Sequence, residues 1–438
     1  MNYDTICSIS TAPGQGAISI IRVSGHDAVK ICNKIFKSHS GNKLLLQNAK
    51  KVVLGNIISN TNIIDEVLVT VFKSPKSYTG ENMIEIACHG STYIQSNIIQ
   101  ILITNGCRLA KKGEFTLRAF LNGKLDLSQA EGVANLISSE NAKSHDLAIK
   151  QMRGGFSNEI KELRNKFIKF AALIELELDF SQEDVEFANR QDLLELINTI
   201  QKKISSLIKS FQLGNAIKNG IPITIVGQPN SGKSTLLNNI LNEERAIVSS
   251  IKGTTRDTIE ESITLNGYQL RFIDTAGIRE TKNKVEKIGI AKTYQKILES
   301  AFILYMFDKS DFKQEEIEKD ILNIQKKIDS EQSLIVIANK SDIYKKSINL
   351  NKLKKNDIID ISAKNGDGIE EVFNIILNRI EKWEALNNNV ILINHRHFES
   401  LIKTIESVKD VQKGIASNLS GELLSLDIKN CLHFLGEI

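Results

Sequence analysis

The residues with the clearest chemical capacity form a glycine-rich loop that directly follows an apolar run, Ile221 to Val226. The loop reads Gly227-Gln228-Pro229-Asn230-Ser231-Gly232-Lys233-Ser234. Its two glycines let backbone N–H groups converge on a phosphate, Lys233 adds a positive charge, and the Ser234 hydroxyl can bind Mg²⁺. The helix predicted from Thr235 to Leu241 directs its N-terminus at the same anion. An ordinary glycine turn is the alternative, but the order strand, loop, helix favours a nucleotide phosphate site.

The chain around this loop predicts an α/β domain with a mostly parallel sheet. Between Ile221 and about Ile380, apolar runs of strand length alternate with helical segments. The runs after the loop are Leu270 to Ile273, Phe302 to Phe307, Leu334 to Ala338 and Ile358 to Ile361. Because open α/β sheets bind ligands at the carboxyl ends of their strands, the polar residues after each run are expected to lie close together.

Two motifs after the loop fit the metal and the terminal phosphate of a nucleotide. Asp274-Thr275-Ala276-Gly277 offers a carboxylate that can hold Mg²⁺ through water and a glycine N–H that can meet a γ-phosphate. Thr255 lies in the interval expected of a switch loop, Gly253 to Asp257, and offers a second Mg²⁺ ligand. Lys233 and Asp274 are therefore candidate catalytic residues.

Two later motifs predict that the base is guanine. Asp342, in Asn339-Lys340-Ser341-Asp342, can accept from both the ring N–H and the exocyclic amine of guanine, a pair that adenine lacks. Ser362-Ala363-Lys364 fits a backbone contact to the guanine O6. The sequence therefore predicts GTP rather than ATP as the substrate.

The residue after Gly277 is Ile278, where many GTPases place a water-orienting glutamine. Hydrolysis therefore requires another device. A hydrophobic residue here resembles the translation-factor-like class of GTPases, and Asn230 is typical of members that coordinate potassium. A potassium ion would offset the charge that develops between the β- and γ-phosphates, as an arginine finger does elsewhere.

The whole chain is predicted to be an α/β and α+β multidomain protein. Residues 1–118 mix strand-like and helical runs and predict an α+β domain. Residues 119–214 and 381–438 carry helical stripes and predict a bundle into which a phosphate-loop domain, 215–380, is inserted. The stripes include Ile160, Leu163, Phe167, Phe170, Ile174, Leu424, Ile428, Cys431 and Leu435. Pro13 to Gly16 and Cys88 to Ser91 look like turns from sequence alone.

Composition describes an ordinary globular protein. The 438 residues are 25% charged and carry a formal net charge of +4, which suits an RNA partner without requiring one. The five cysteines form no C-x-x-C pair, which favours a reduced cytosolic compartment. Because no export signal and no apolar run of about 18 residues occur, a cytoplasmic protein without a membrane span is expected.

Nearly the whole chain resembles the MnmE (TrmE) family of bacterial tRNA-modification GTPases. Besides the GTPase motifs, the segments that carry the resemblance are Asp4 to Ile6, Ile20 to Gly25, Ser77 to Glu81, His89-Gly90, Gly113 to Leu127, Gln129 to Glu131 and Gly421 to Leu424. The resemblance implies a Ras-like GTPase domain inserted into a helical bundle. It also changes the interpretation of Pro13 to Gly16 and His89-Gly90 from plain turns to parts of a folate-binding domain.

The N-terminal domain of that family dimerises and binds a one-carbon folate, 5-formyl-tetrahydrofolate or a relative. The resemblance implies that Arg22, Glu85 and Lys124 are the folate-binding residues here. Arg22 and Lys124 can pair with folate carboxylates, and Glu85 can accept from pterin amines. Plain surface charges are the alternative for each of the three.

The resemblance also assigns ions and a catalytic residue. Potassium goes to Asn230 and Thr254, with help from Ser249 and Ile251, and magnesium goes to Ser234 and Thr255. Glu286 matches the family's catalytic glutamate, which acts on the attacking water through a second water. The complete set of predicted GTP-binding residues is Asn230, Ser231, Gly232, Lys233, Ser234, Thr235, Ser249, Thr254, Thr255, Asp274, Thr275, Ala276, Gly277, Asn339, Lys340, Asp342, Ser362, Ala363 and Lys364.

The implied function is a potassium-dependent GTPase that works as a homodimer with the FAD-dependent protein MnmG. Together they add an aminomethyl or carboxymethylaminomethyl group to C5 of the wobble uridine of tRNA. Family members continue past the position of Ile438 into a cysteine-containing tail, so a shortened chain is expected. Two alternatives stay open: a regulatory GTPase or binding module, for instance linked to the ribosome, and a truncated product with GTPase activity only.

Overall fold

Two compact units make up the chain, Met1–Glu131 and Gly132–Ile438. The computed structural model describes residues 4–41, 44, 51–179, 190–242, 247–249, 261–273, 296–329, 332–345, 348, 350, 358–386, 391, 393–417, 419 and 421–438. The units have the predicted α+β and α/β character, and the predicted fold class is confirmed.

A seven-stranded sheet is the base of the N-terminal unit. Its strands are β1 (Ile6–Ile9), β2 (Gly16–Ser24), β3 (Phe36–Ser38), β4 (Val52–Ser59), β5 (Asn62–Phe72), β6 (Met83–Gly90) and β7 (Arg108–Leu109). The order is β3-β4-β5-β6-β2-β1-β7, and all pairs are antiparallel except β1 with β7. The helices of this part are α1 (Ala28–Ile35), α2 (Thr92–Thr104), α3 (Glu114–Leu121) and α4 (Leu127–Ile137), which crosses into the next unit.

The two faces of this sheet differ. Val67, Val69 and Val71 of β5 are buried in a core that also contains side chains of α1 and α2. Because successive side chains of a strand point to opposite faces, Leu68 faces the other way, where it is 46% exposed opposite its cross-strand partner Leu54. The outer face of the sheet therefore presents apolar side chains to solvent.

One turn prediction in this unit is wrong. Cys88, His89 and Gly90 form the end of β6, and only Ser91 lies outside it, as the N-cap residue of α2. The strand continues because each of these residues still has a place in the β2–β6 ladder, where Cys88 pairs with Ser19. The other predicted turn, Pro13 to Gly16, leads into β2 but follows a strand, β1, that the sequence did not predict.

The second unit combines a bundle with a nucleotide domain. Its further helices are α5 (Ala142–Met152), α6 (Gly155–Asp179), α7 (Arg190–Asn219), α8 (Lys233–Asn242), α9 (Gln314–Gln325), α10 (Ile369–Leu386), α11 (His395–Ala416) and α12 (Gly421–Gly436). The predicted stripes of α6 and α12 are confirmed, because all nine side chains belong to one buried cluster shared with α7 and α11. Cys431 is fully buried there, as predicted.

The nucleotide domain is a second seven-stranded sheet. Its strands are β8 (Ile221–Gly227), β9 (Ile247–Ser249), β10 (Glu261–Leu265), β11 (Tyr268–Phe272), β12 (Phe302–Asp308), β13 (Ser333–Asn339) and β14 (Ile358–Asp360). The order is β14-β13-β12-β8-β11-β10-β9, and the first five strands are parallel. The predicted parallel sheet is thus confirmed, with an antiparallel β9–β10–β11 edge in addition.

The predicted division into 1–118, 119–214, 215–380 and 381–438 stays a prediction. Its three limits fall inside α3, α7 and α10. Glu381, where the bundle was predicted to resume, lies within α10, whose residues Ile369, Ile376 and Ile380 belong to the core of the nucleotide domain.

Glu114, the first residue of α3, lies in a buried network of ion pairs. Its carboxylate accepts from Arg108 at 2.6 and 3.1 Å, from Arg118 at 3.2 Å and from the Lys111 backbone N–H at 2.8 Å. The hydrogen bonds from Arg108 lower the pKa of Glu114 most, and despite the opposing effect of burial the pKa falls to about 2. The carboxylate is therefore held in its charged form.

Replacing Glu114 with glutamine should destabilise the N-terminal unit by about 2 kcal/mol at pH 7, because Arg108 and Arg118 each lose one of their carboxylate partners. Since the native pKa lies below the ordinary 4.5, this stabilisation is fully present above about pH 4.5 and is lost as the pH falls towards 2. Calorimetric melting of the full chain should show the largest parent–variant difference at pH 7 and convergence at low pH. Glu66→Gln, at an exposed pair with His39, is the matched control and should shift little. A constant difference across the pH range would contradict the expectation.

Candidate functional site

The phosphate loop connects β8 to α8 and depends on two glycines. At Gly227 (φ +140) a Cβ atom would collide with the carbonyl oxygen of Met306 on the neighbouring strand. At Gly232 (φ +97) it would collide with the side-chain amide of Asn339. Both positions therefore need glycine for space as well as for backbone conformation.

Lys233 is folded back onto its own loop. Its ammonium donates to the carbonyl oxygens of Gly227 at 3.0 Å and Gln228 at 2.6 Å. Burial lowers the pKa of Lys233. The lysine begins α8, so its charge adds to the partial positive charge of that helix N-terminus. A phosphate oxygen would replace carbonyl partners with a charged one.

Asn339, at the end of β13, joins the phosphate loop to the predicted guanine loop. Its Nδ2 donates to the Ser231 carbonyl at 2.7 Å, and its Oδ1 accepts from the Ala363 N–H at 2.8 Å. The side chain is buried, with the residue 3% exposed. Asn239 of α8 adds a bond to the Ala363 carbonyl at 2.8 Å. The loops predicted to hold phosphate and base are thus fixed to each other.

The Asp342 side chain is oriented by Ser362 of the same guanine loop. Its Oδ1 accepts from the Ser362 hydroxyl at 2.9 Å, which orients the carboxylate. The segments that carry Asp342 and Ser362 are also joined by a backbone hydrogen bond, in which the Ser341 N–H donates to the Ile361 carbonyl at 3.0 Å. The predicted neighbours Asn339, Asp342, Ser362 and Ala363 are therefore together in the structure. The Lys364 side chain is exposed.

Lys340 forms an ion pair with Asp308, the last residue of β12. Its backbone is left-handed, with φ +66, which is uncommon for a residue other than glycine. Burial acts to raise the pKa of Asp308, but the hydrogen bonds from Lys340 and Ser310 outweigh it and the pKa is lowered. The carboxylate therefore stays charged and holds Lys340 beside the guanine loop.

Several predicted residues lie outside the described part of the chain. They are Ile251, Thr254, Thr255, Asp274, Thr275, Ala276, Gly277, Ile278 and Glu286. For Ser249 the structure describes the backbone, as the last residue of β9. The switch loops and the catalytic glutamate therefore stay predictions.

The described loop residues fit hard cations. Asn230 is exposed, with a left-handed backbone at φ +60, and its side chain ends in an amide oxygen. Ser234 lies in the first turn of α8 and carries a hydroxyl. Amide and hydroxyl oxygens are ligands that K⁺ and Mg²⁺ accept, as part of a larger set of oxygens. Among the described residues, no group of three or more His, Cys, Asp or Glu is arranged to hold a metal.

The N-terminal unit brings Arg22 and Glu85 together. They are cross-strand partners on β2 and β6, and two guanidinium nitrogens donate to Glu85 Oε1 at 3.0 and 2.7 Å. The guanidinium also lies 5.3 Å from the ring centre of Tyr78 and 5.6 Å from that of Phe115. Both charged side chains are 25% exposed and so remain open to a ligand.

Lys124, the third predicted folate residue, packs against the loop that carries Tyr78. Its ammonium donates to the Pro75 carbonyl at 3.2 Å. Gly80, with φ +79, leaves room for the Lys124 stem, because a Cβ would lie 3.3 Å from the Lys124 Cγ. One loop therefore contacts both predicted cations of the folate site.

Sequence reasoning missed the two aromatic rings at Arg22. Tyr78 and Phe115 were noted only as members of family-like segments. The rings come from a loop after β5 and from α3, so nothing in their spacing shows that they meet. The tyrosine hydroxyl is 2.9 Å from the Thr116 hydroxyl, which fixes its ring.

Sequence comparison covers the chain from end to end. Residues 5–124 match the domain described as the N-terminus of GTP-binding protein TrmE, and residues 127–438 match the MnmE helical domain. The chain is 53% identical over 445 residues to the tRNA modification GTPase MnmE of Flavobacterium johnsoniae, spanning 100% of this chain and 95% of that protein. It is 48% identical over 450 residues to the protein of the same name from Bacteroides thetaiotaomicron, spanning 100% and 96%.

Two solved structures are similar to part of the chain. Era in complex with MgGDPNP and nucleotides of 16S ribosomal RNA is 27% identical, covering 42% of this chain and 66% of Era with a TM-score of 0.27. The G domain of the T. maritima FeoB iron transporter is 23% identical, covering 37% and 98% with a TM-score of 0.26. Within the part of the chain that the structure describes, no helix is long and apolar enough to span a membrane.

Asn339→Ala should loosen both loops, because it removes one donor and one acceptor from a buried position. The loss of two hydrogen bonds predicts about 2 kcal/mol lower stability of the nucleotide domain and about tenfold faster release of a fluorescent guanine nucleotide. Asn339→Asp keeps the acceptor for Ala363 but places a carboxylate oxygen against the Ser231 carbonyl, so it should be no better. Asn239→Ala, which breaks one bond to the same loop, is the control with the smaller expected effect. Release rates equal to the parent's in both Asn339 variants would refute this role.

Proposed function

Because the chain belongs to the MnmE family of tRNA modification GTPases, we propose that it is a potassium-dependent GTP hydrolase that acts with an MnmG partner on the wobble uridine of tRNA. The activity belongs to a homodimer that uses GTP, Mg²⁺, K⁺ and a one-carbon folate. Aminomethyl or carboxymethylaminomethyl groups are the products at C5. The predicted cytoplasmic location is part of the same proposal.

The observation that carries the GTPase proposal is the double hydrogen bond of Asn339. It brings the phosphate loop and the guanine loop to a fixed separation, as one ligand with a phosphate at one end and a guanine at the other requires. Asp342, oriented by Ser362, then accepts from the base. Lys233 meets the phosphates, and Gly227 and Gly232 leave space for the loop backbone.

Asn230 supports the potassium part of the proposal. The residue is exposed in the phosphate loop, and its backbone is left-handed. Bound K⁺ and Mg²⁺ supply positive charge next to the phosphates. Asn230 and Ser234 would hold them together with Thr254, Thr255, Ser249 and Ile251, and Glu286 would act on water in place of the missing glutamine. Asp274 would hold Mg²⁺ through water.

Asn230→Ala should abolish the stimulation of GTP hydrolysis by K⁺ over Na⁺ while leaving GTP affinity within about threefold, because the amide oxygen is a cation ligand and not a base contact. Asn230→Gly removes the amide without straining the backbone, since glycine adopts φ +60 readily, so it distinguishes the effect of losing the ligand from an effect on loop conformation. Steady-state hydrolysis in matched KCl and NaCl should show the same loss in both variants. Full potassium stimulation in the glycine variant would show that the amide is not a ligand.

The Arg22–Glu85 pair supports the folate part of the proposal. Glu85 uses Oε1 for the arginine, and its Oε2 can accept from pterin amines. The rings of Tyr78 and Phe115 beside the guanidinium offer apolar area for a flat heterocycle. The apolar outer face of the N-terminal sheet, with Leu54 and Leu68, supports the homodimer.

The tRNA proposal is tested in a strain whose only family member is this gene. Mass analysis of wobble uridines should find C5 modification with the parent chain, and Arg22→Met and Lys124→Met should each reduce it at least tenfold because folate binding fails. Lys76→Met, an exposed lysine in the same loop region, is the matched control and should retain the modification. Unmodified wobble uridine with the parent chain, in cells that contain MnmG, would overturn the modification activity and favour a protein with GTPase activity only.

A regulatory GTPase without modification activity is the second candidate, and it gives Arg22, Glu85 and Lys124 no ligand. Calorimetry separates the two candidates. Micromolar binding of 5-formyl-tetrahydrofolate to the parent, lost in Arg22→Met and kept in Lys76→Met, supports the modification enzyme. Heat of dilution alone with the parent supports the regulatory protein.

A further inference from the structure

Lys309, directly after β12, is a lysine shut off from solvent. Its side chain is 1% exposed, whereas lysine side chains are almost never fully buried unless they are paired. It belongs to none of the predicted GTPase motifs. Since a buried ammonium is costly without a compensating charge, the partner of Lys309 indicates what the residue does.

That partner is Asp360, the last residue of β14. The Lys309 Nζ donates to Asp360 Oδ2 at 2.7 Å. In the sheet, β13 lies between β12 and β14, so this bond reaches across an intervening strand. Asp360 is 51% exposed at its side chain, and the lysine therefore anchors an otherwise accessible strand end to the buried end of β12.

The anchored strand end leads directly into the guanine loop. Ile361, the next residue, donates its N–H to the Ala338 carbonyl at 2.9 Å. Ser362 follows and donates its hydroxyl to Asp342 Oδ1 at 2.9 Å. Only Ile361 thus separates the residue whose carboxylate Lys309 holds from the residue whose hydroxyl orients Asp342, and a shift of Asp360 would move that hydroxyl.

A second ion pair is formed by the residue next to Lys309 at the end of β12. Asp308 pairs with Lys340, the residue next to Asn339, while the adjoining Lys309 pairs with Asp360. Asp308 also accepts from the Ser310 N–H at 2.8 Å and its hydroxyl at 2.6 Å, which fixes the turn that carries Lys309. The two segments that recognise guanine are therefore both held from the end of β12.

We propose that Lys309 is a positioning residue for guanine recognition, which holds Asp360 at the end of β14 and thereby sets Ser362 and the Asp342 carboxylate against the base. The proposal rests on the GTPase function proposed above. The alternative is a purely structural role, in which Lys309 stabilises the fold but does not affect which base is bound. Only the positioning role predicts a change in base selectivity.

Lys309→Met tests the proposal in the full chain, because methionine has a similar volume and removes the charge. The measurements are calorimetric dissociation constants for GDP and for inosine diphosphate, which lacks the 2-amino group that Asp342 accepts, together with kcat at saturating GTP. GDP affinity should fall about tenfold and the preference for GDP over inosine diphosphate should shrink at least about threefold. The kcat at saturating GTP should change less than about twofold, because Lys309 does not contact the phosphate loop residues.

Lys313→Met is the matched control. That lysine lies on the next exposed segment at 57% exposure, with Glu316 at 3.9 Å, and its loss should change neither affinity. Asp360→Asn keeps an acceptor for the lysine but removes the negative charge of the pair, so it should shift selectivity in the same direction by less. If Lys309→Met fails to fold, this variant decides the question.

A lower melting temperature of Lys309→Met with an unchanged ratio of GDP to inosine diphosphate affinity overturns the positioning role. So does an unchanged ratio in a folded Asp360→Asn when Lys309→Met is unfolded. A parent chain that does not prefer GDP over ADP overturns the proposed GTPase function itself. Failure of the GTPase function can be told apart from failure of the positioning role, because it would be seen in the parent chain before any substitution is made.

Discussion

The buried amide of Asn339 is the interaction on which the candidate nucleotide site depends. An amide side chain donates and accepts in a single plane, and here both functions are used, towards Ser231 on one side and Ala363 on the other. Burial makes each bond costly to leave unmade. It also explains Gly232, because a larger residue would occupy the space of the amide nitrogen. One side chain thus determines the distance between two loops that lie over a hundred residues apart in sequence.

The charged side chains around the guanine loop are also paired. The buried Lys309 and the partly exposed Lys340 are each paired with a carboxylate from a different strand. Asp342 has a hydroxyl partner rather than a cation. That bond uses only Oδ1, and a carboxylate has further acceptor capacity for the two N–H donors of a base. Had a lysine paired with Asp342, the base would compete with an ion pair for the same oxygens.

How much the sequence predicts depends on how local the determinant is. The phosphate loop, its strand and its helix are contiguous, and the stripes of α6 and α12 repeat every three or four residues, so spacing alone reveals them. Arg22 and Glu85 pair across a ladder that joins residues 63 apart, and here the family resemblance was the source of the prediction. No pattern in the sequence marks Lys309 as buried, because its burial results from strand order. Cys88 to Ser91 looked like a turn from sequence alone, whereas the pairing of Cys88 to Gly90 with β2 is formed by residues distant in the sequence.

Helix α7 links the bundle to the nucleotide domain, because its side chains contribute to the cores of both. Ile197, Ile200 and Ile204 belong to the bundle core, whereas Leu213 and Ile217 belong to the core of the nucleotide domain. At 30 residues the helix is about 45 Å long, and only Gly220 separates it from β8, the strand that ends in the phosphate loop. The helix therefore spans the predicted limit between the two domains without a flexible linker. A shift of β8 relative to the bundle must either bend α7 or be absorbed at Gly220, whose φ of +85 already departs from the helical range. The first connection between the bundle and the nucleotide domain is therefore a continuous helix followed by a single glycine.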